Sequence, residues 1–455
     1  MSPERWGVVG GGILGMSLAM WLRDRGHQVT LFEAAEELGG LASAWQIGDV
    51  TWDRHYHVTL NSDRHLLSLL DRLGLTDELR WVETRTGVYS GGRLYSVSNT
   101  LEYLRFPPLR MVDKLRMGWT IIYGSRLHNW RRLEQIPVED WLRRHSGDRA
   151  FEEFWLPLLR SKLGDNYRRT SAAFIWTTIQ RLYAARRSGL KKEMFGYVAG
   201  GYSRILARFA VELEALGVEI VLGARVSSVG PSPAGVEICI GGEAISLDRV
   251  VVTAASPIAA RLIAGIEPSE QATMSAVQYQ GIVCASMLTD VGLGGFYVTN
   301  ITDDHLPFTG VIEMSALVDR AEFGGLALTY LPRYTTANDR INTQSDDEVR
   351  ASFTSAIADM FPGFDMASVK AFKVSRVPYV FPIPTIGYSE RIPPMQTSVK
   401  GVYAVSSAQI LNGTLNVNET VQLAARALPV LTGEMTYDRS LLEADVEPIL
   451  LGAPA

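Results

Sequence analysis

The apolar positions of this chain change their spacing many times, and each change predicts an element. Residues 6–9 form a short unbroken apolar run, the pattern of a parallel strand buried on both faces. Leu14, Leu18 and Leu22 then recur at helical spacing until Gly26, and residues 29–32 are apolar again, so the chain opens strand, helix, strand. Residues 44–52 read as a further strand. Leu66, Leu69, Leu70 and Leu73 make a helical stripe that Asn61 or Ser62 can cap and Gly74 ends. Short strands are expected over 75–100, and a helical pattern rich in Trp, Leu and Arg fills 101–192. From 202 to 254 helix and strand alternate once more. Residues 277–332 alternate as antiparallel strands, 346–361 form a helix, and Pro378, Pro382 and Pro384 exclude a central strand across 377–388. A strand at 401–407 and a helix from Asn416 to about Leu431 complete the pattern.

Between the first strand and the first helix stand Gly10, Gly12 and Gly15, with the spacing of a dinucleotide-binding turn. Gly10 makes the tight turn, Gly12 lets backbone N–H groups approach a pyrophosphate, and Gly15 lets the helix lie close to the sheet. Ile13 and Leu14 open the helix, whose N-terminus adds partial positive charge. Glu33 follows Gly15 by 18 residues, close to the separation of about 20 at which an acid meets a ribose. The glycines alone are weak evidence; with strand, helix, strand and acid in place the signal is strong.

Glu33 followed by Gly39-Gly40-Leu41-Ala42-Ser43 resembles the second half of the FAD signature of the flavin amine oxidase, protoporphyrinogen oxidase and phytoene desaturase superfamily. That family usually carries a basic residue after the glycine pair, and Leu41 cannot make its pyrophosphate contact. The resemblance reaches to about residue 435. It implies an α/β architecture in which a discontinuous Rossmann-like FAD domain (1–60, 195–268 and 395–435) is interleaved with a substrate domain of antiparallel sheet plus helices (61–100 and 269–394). Residues 101–194 are too long for a loop and are expected to be an inserted helical subdomain, with 436–455 a surface tail. It also implies that FAD meets Gly10, Gly12, Ile13, Leu14, Gly15, Glu33, Gly39, Gly40, Leu41 and Ala42, the backbone of Val226, and the turn at Ala254. The N-terminus of the last helix, at Asn416, Val417 and Asn418, would face the flavin pyrimidine. Relatives usually place Gly-Asp after the last strand; here Ser407 or Gln409 is the replacement for the ribitol contact. His57 is the candidate catalytic group at the flavin face, as in UDP-galactopyranose mutases, against the alternative of a histidine satisfied by backbone in a turn. Tyr379, Tyr388 and Glu313 are further pocket candidates.

What the resemblance implies is an FAD-dependent oxidoreductase that dehydrogenates a lipophilic or amine-bearing small molecule by hydride transfer to flavin N5, electrons passing to oxygen or a quinone. Two other readings stay open: a redox-neutral flavin enzyme such as a nucleotide-sugar mutase or isomerase, and a non-catalytic carrier like the Rab GDP-dissociation inhibitors, which share the architecture without flavin.

Charge adds a question about partners. The net charge is −5, but residues 104–192 carry +11 and the remainder −16. Such a basic helical block is either a solvated surface or a contact for an anionic membrane or a phosphorylated substrate, and 111–132, with its apolar centre between basic clusters, suits an interfacial helix. The acidic remainder argues against nucleic acid. No apolar run reaches 18 residues and no signal-peptide pattern precedes the first strand, so a cytoplasmic protein, peripheral on the membrane at most, is expected. Cys239 and Cys284 sit in strand-like apolar contexts as small hydrophobes, so no metal site and no cysteinyl-linked flavin are expected, and FAD would be non-covalent.

Overall fold

The computed structural model describes residues 3–187, 194–411, 415–443 and 446–449. Its organising layer is a five-stranded sheet in the order Val402–Ala404, Arg249–Val252, Arg5–Val9, Gln28–Phe32, Glu219–Val221, every pair parallel. These strands read as unbroken apolar runs because both faces are covered. On one face pack the helices Ile13–Asp24, Gly201–Ala215 and Val417–Leu431, through Met16, Met20, Phe209 and Leu428. On the other lies a three-stranded antiparallel meander, Val226–Ser232, Gly235–Ile240 and Glu243–Leu247, which buries Val229 and Ile238 with Val250 and Val252. The chain leaves this layer and returns to it twice.

The second layer is a seven-stranded sheet, ordered Val369–Pro382, Tyr279–Thr289, Ala327–Thr335, Gly310–Glu313, Val298–Ile301, Thr86–Ser90, Arg93–Ser96. It is mixed, not wholly antiparallel: Val298–Ile301 runs parallel to Thr86–Ser90, a strand delivered from far earlier in the chain with no hairpin to reverse it. Pro378 and Pro382 lie in the outermost strand, where a missing N–H leaves no ladder bond unmade on the open side. The expected strand over 44–52 is a hairpin, Ala44–Ile47 with Val50–Asp53, turned at Gly48.

Residues 101–187 form the helical block. Met111–Ser125, Val138–Ser146, Leu156–Leu163 and Ala172–Arg187 close on Trp141, Phe151, Trp155 and Leu163. The helix expected over 111–132 stops at Ser125 and restarts at Trp130, where Asn129 accepts a bond from the Arg132 N–H. Residues 188–193 of that expectation lie outside the described residues.

Two local expectations are corrected. The helix Arg64–Arg72 has Asp63, not Asn61 or Ser62, at its N-cap position, and the Asp63 carboxylate accepts from the Leu60 N–H at 2.9 Å. The expected surface tail is docked along 437–443: Leu441 and Leu442 are buried, Leu442 in the cluster shared by the first and last helices, because those helices leave an apolar groove to cover. Residues 444–445 and 450–455 of that tail are outside the described residues. No described helix is long and apolar enough to cross a membrane.

Candidate functional site

The glycine turn sits where the strands Arg5–Val9 and Gln28–Phe32 end, and contact geometry holds Gly10 and Gly15 there. A Cβ on Gly15 would lie 1.9 Å from the Gly10 carbonyl oxygen, so any side chain would force helix and turn apart. Gly12 is the opposite case, since a Cβ there would meet nothing nearer than 3.9 Å. Gly12 also caps the first helix without a side-chain bond, so no capping side chain takes up the N–H groups of the first turn, at Ile13 and Leu14, where an anion could be received. The second glycine pair docks on the first: the Gly39 N–H donates to the Gly11 carbonyl at 2.8 Å, with Gly39 at φ +122°, a conformation other residues avoid.

Glu33 organises the same corner. One carboxylate oxygen accepts from the Gly11 N–H at 2.6 Å and the other from the Ala35 N–H at 2.8 Å. Each oxygen keeps a lone pair for a ribose hydroxyl. The Ala224 N–H donates to the Glu33 carbonyl at 2.8 Å, which brings the strand beginning at Val226 beside this acid. Val226 turns its side chain into the core with Val9 and Phe32 and opens the strand that pairs with Ile240. Thr253 bonds back to Val9 and Gly10 through its hydroxyl, at 3.0 and 3.3 Å, and so sets half-buried Ala254 on the rim. These residues gather at the carboxyl ends of parallel strands, where a dinucleotide lies in such folds. Cradle, open N-terminus and acid together fit a dinucleotide cofactor.

Ala42 is buried and Leu41 half-buried, and the Leu41 carbonyl is fixed at 3.2 Å from His55 Nδ1, whose Nε2 reaches the Ser375 hydroxyl at 3.1 Å. Burial, with His57 adding repulsion, pushes the His55 imidazole down to about 4, so it is neutral at pH 7. The motif signalled His57 and passed over His55; only the tertiary contacts with 41 and 375 distinguish them. His57 itself has a buried Nδ1 with no hydrogen bond, 3.8 Å from Asp53 Oδ2, and its ring lies 4.7 Å from that of Tyr202. Asp53 is meanwhile engaged by the Tyr202 N–H at 2.7 Å.

At the last helix, Asn416 is the N-cap and its side chain accepts from the Glu419 N–H at 3.0 Å, while Val417 is buried. Asn418 turns away and accepts from the His65 and Leu66 N–H groups at 2.9 and 3.2 Å, so its side chain serves the neighbouring helix. Gln409 is corrected as a cofactor contact: it is buried, its oxygen takes the Ser406 N–H at 2.7 Å, and its amide donates to the Ala404 and Pro393 carbonyls. Ser407, the alternative, lines a cavity. Glu313 is corrected too, because its carboxylate is filled by the N–H groups of Leu293, Gly294 and Gly295 at 2.9–3.0 Å and holds a loop.

Two cavities flank the end of the large sheet. The larger, about 600 Å³ and open, contains Tyr279, Tyr379, Arg169 and Arg376, and none of its lining comes from the parallel-sheet crevice. Its arginines are already paired, Arg376 with Asp346 and Arg169 with Gln278 and Asn166. The smaller, about 80 Å³, is walled by Phe174, Phe381, Tyr388, Leu411 and Leu415 and reaches Ser407, at the junction of the last parallel strand and the last helix. Of the two, this one adjoins the nucleotide-binding layer and is the candidate reaction cavity. Tyr388 and Tyr334 in its wall are satisfied, by the Ala408 carbonyl at 2.8 Å and the Tyr56 hydroxyl at 2.9 Å. Lys162 also lines it, a residue the sequence pattern had merged into a basic helical surface.

Fold and site together define a flavoprotein-type oxidoreductase, with a Rossmann-like layer, a mixed-sheet substrate layer and an apolar cavity where they meet. The chain belongs to the flavin containing amine oxidoreductase family, whose model matches residues 15–427. It is 23% identical to the 15-cis-phytoene desaturase of Narcissus pseudonarcissus over 94% of this chain and 82% of that protein. To the 15-cis-phytoene desaturase of Synechococcus elongatus it is also 23% identical, over 97% and 96%. Among solved structures it resembles a putative protoporphyrinogen oxidase from Exiguobacterium sp. 255-15, with TM-score 0.75, 18% identity and coverage of 96% and 100%. A putrescine oxidase follows the same fold at TM-score 0.72, 18% identity and coverage of 95% and 99%. The protein is therefore an FAD-dependent oxidoreductase of this family.

Proposed function

We propose that this enzyme dehydrogenates a predominantly apolar small molecule, with a hydride leaving the substrate for flavin N5, a proton leaving to a base, and the electron pair passing on to oxygen or a quinone. When bound, FAD supplies the two-electron acceptor for that step. Gly12 and the first-helix N-terminus would hold its pyrophosphate, and Glu33 its ribose. Phe174, Phe381, Leu411 and Leu415 orient an apolar skeleton and exclude water. His57, whose buried Nδ1 makes no hydrogen bond and lies 3.8 Å from the Asp53 carboxylate, is the proposed proton-handling group. Binding of FAD without a covalent link is supported by the cysteines: Cys284 is fully buried with its thiol pushed up by desolvation, and neither it nor Cys239 lines the cavity.

The single observation carrying this reading is the apolar cavity at the junction of the last parallel strand and the last helix; full-length similarity to two desaturases supports it. The test is anaerobic mixing of the holoprotein with lipophilic candidates. Bleaching of the flavin with a product two hydrogens lighter, and recovery of colour with oxygen or a quinone, is expected. A product of unchanged mass, formed only by prereduced enzyme, would assign redox-neutral chemistry instead.

We also propose that the helix Met111–Ser125 rests on an anionic membrane surface. Met111, Val112, Leu115, Trp119 and Ile122 are 39–65% exposed along it, and Arg105, Arg116 and Arg126 are exposed beside them.

A further inference from the structure

The reaction cavity has an unbalanced charge. Its described lining is apolar or aromatic apart from the Tyr334 and Tyr388 hydroxyls, already bonded, the Ser407 hydroxyl, and the Lys162 ammonium. No Asp or Glu lines it. Lys162 lines this cavity and keeps much of its surface accessible. Among the described residues it makes neither a hydrogen bond nor an ion pair. Desolvation, with Arg181 adding like charge, disfavours its protonated form. Arg181 itself is committed to Asp63, 3.4 Å away.

An ammonium that faces an apolar cavity with no acid in its lining favours an anion as the cavity's occupant. In the larger cavity Arg376 is paired with Asp346, and Arg169 donates to the Asn166 and Gln278 amide oxygens. Lys162 is positioned by the helix Leu156–Leu163, whose buried Leu159 and Leu163 lock that segment into the insert, so the side chain cannot escape by a small rotation of the helix.

From this we infer that the Lys162 ammonium, with the Ser407 hydroxyl as second donor, receives the carboxylate of a lipophilic acid, and that the substrate of this enzyme is of that class. The inference rests on the oxidoreductase reading and narrows it. A pure hydrocarbon would leave the lysine unpaired, and an ammonium substrate would be repelled. The volume of about 80 Å³ suits a headgroup with its first methylenes, the rest of the skeleton continuing along the aromatic wall.

The probes are octanoate, octylamine and octanol, titrated calorimetrically into the full-length protein as purified. Octanoate is expected to bind about tenfold or more tighter than octanol, the worth of one charge-assisted hydrogen bond in an apolar site. Octylamine is expected to bind weakest. In Lys162→Met the octanoate preference disappears while octanol binding and thermal stability stay unchanged; Lys162→Arg retains it. Equal binding of acid and alcohol by the wild type, or a preference that survives Lys162→Met, overturns the inference. So does a shift in flavin reduction potential in Lys162→Met with the acid preference intact, since the lysine would then serve the flavin. Protein purified without flavin but with the acid preference would overturn the oxidoreductase reading and leave this one standing.

Discussion

The nucleotide corner and the cavity beneath the helical insert are built from different parts. In the corner, recognition is prepared by backbone: Gly12 leaves open space, Gly15 lies against the Gly10 carbonyl, Gly39 donates to Gly11, and even the Glu33 carboxylate is held by two N–H groups. In the cavity, recognition is left to side chains drawn from four distant stretches, at 162–174, 334, 380–388 and 407–415. Backbone recognition suits a ligand part that every relative shares, because it depends only on where the glycines fall. Side-chain recognition suits the part that differs, because one substitution on a helix of the insert changes it. On the reading proposed above, cofactor and substrate would be read by different parts of the molecule.

Breaking the backbone half should have the largest effect. Gly15→Ala places a Cβ 1.9 Å from a carbonyl oxygen, and the turn must move to relieve it. We expect flavin retention after gel filtration to fall at least about fivefold, the equivalent of the lower end of the roughly 1–3 kcal/mol that overpacking costs, with the far-UV spectrum little changed. Gly12→Ala, where space is open, should lower it much less; equal losses in the two variants would contradict the close-approach account.

The insert should be separable from the corner. Leu115→Asp with Trp119→Asp removes two of the most exposed apolar side chains of the long helix, 65% and 59% exposed. Flavin content and melting temperature are expected to hold, because neither side chain is in the core, while sedimentation with anionic vesicles is lost. Vesicle binding that persists would sink the membrane proposal and leave the solvated-surface reading of the basic block.

A smaller effect tests the joint between the two halves, where His55 ties Leu41 to Ser375. Its folded pKa of about 4 lies below the unfolded value of 6.5, so the stability it contributes is present above pH 6.5 and lost as pH falls towards 4. Between pH 7 and pH 5 the wild type should lose up to about 2 kcal/mol from this group. In His55→Gln that part of the loss should vanish from urea midpoints measured at the two pH values. An identical pH dependence would mean that His55 is not buried as a neutral base.

The glycine corner was legible because its evidence is local: strand, three glycines, helix, acid and second glycine pair all fall within 40 residues, and spacing alone relates them. The cavity was not. Lys162 and Arg160 look alike in a basic helical run, and only the sheet strand residues arriving from 334 and 380–382 decide that Lys162 lines a cavity. Gln409 and Glu313 were misassigned for different reasons. The amides that fill the Glu313 carboxylate, at 293–295, become its neighbours only through folding, whereas Gln409 closes a local Ser-x-x-Gln capping box with Ser406. The docked Leu441 and Leu442 likewise needed a groove that no local pattern announces.

The central claim is that the corner holds FAD, without a covalent link, for oxidation in the adjoining cavity. Acid denaturation of the purified protein, followed by absorbance and mass spectrometry of the supernatant and the precipitate, tests it most directly. FAD released into the supernatant in about equal amount to the chain is the expected result. A chain that purifies colourless and takes up no FAD on incubation, or one that keeps its flavin in the precipitate, would contradict it.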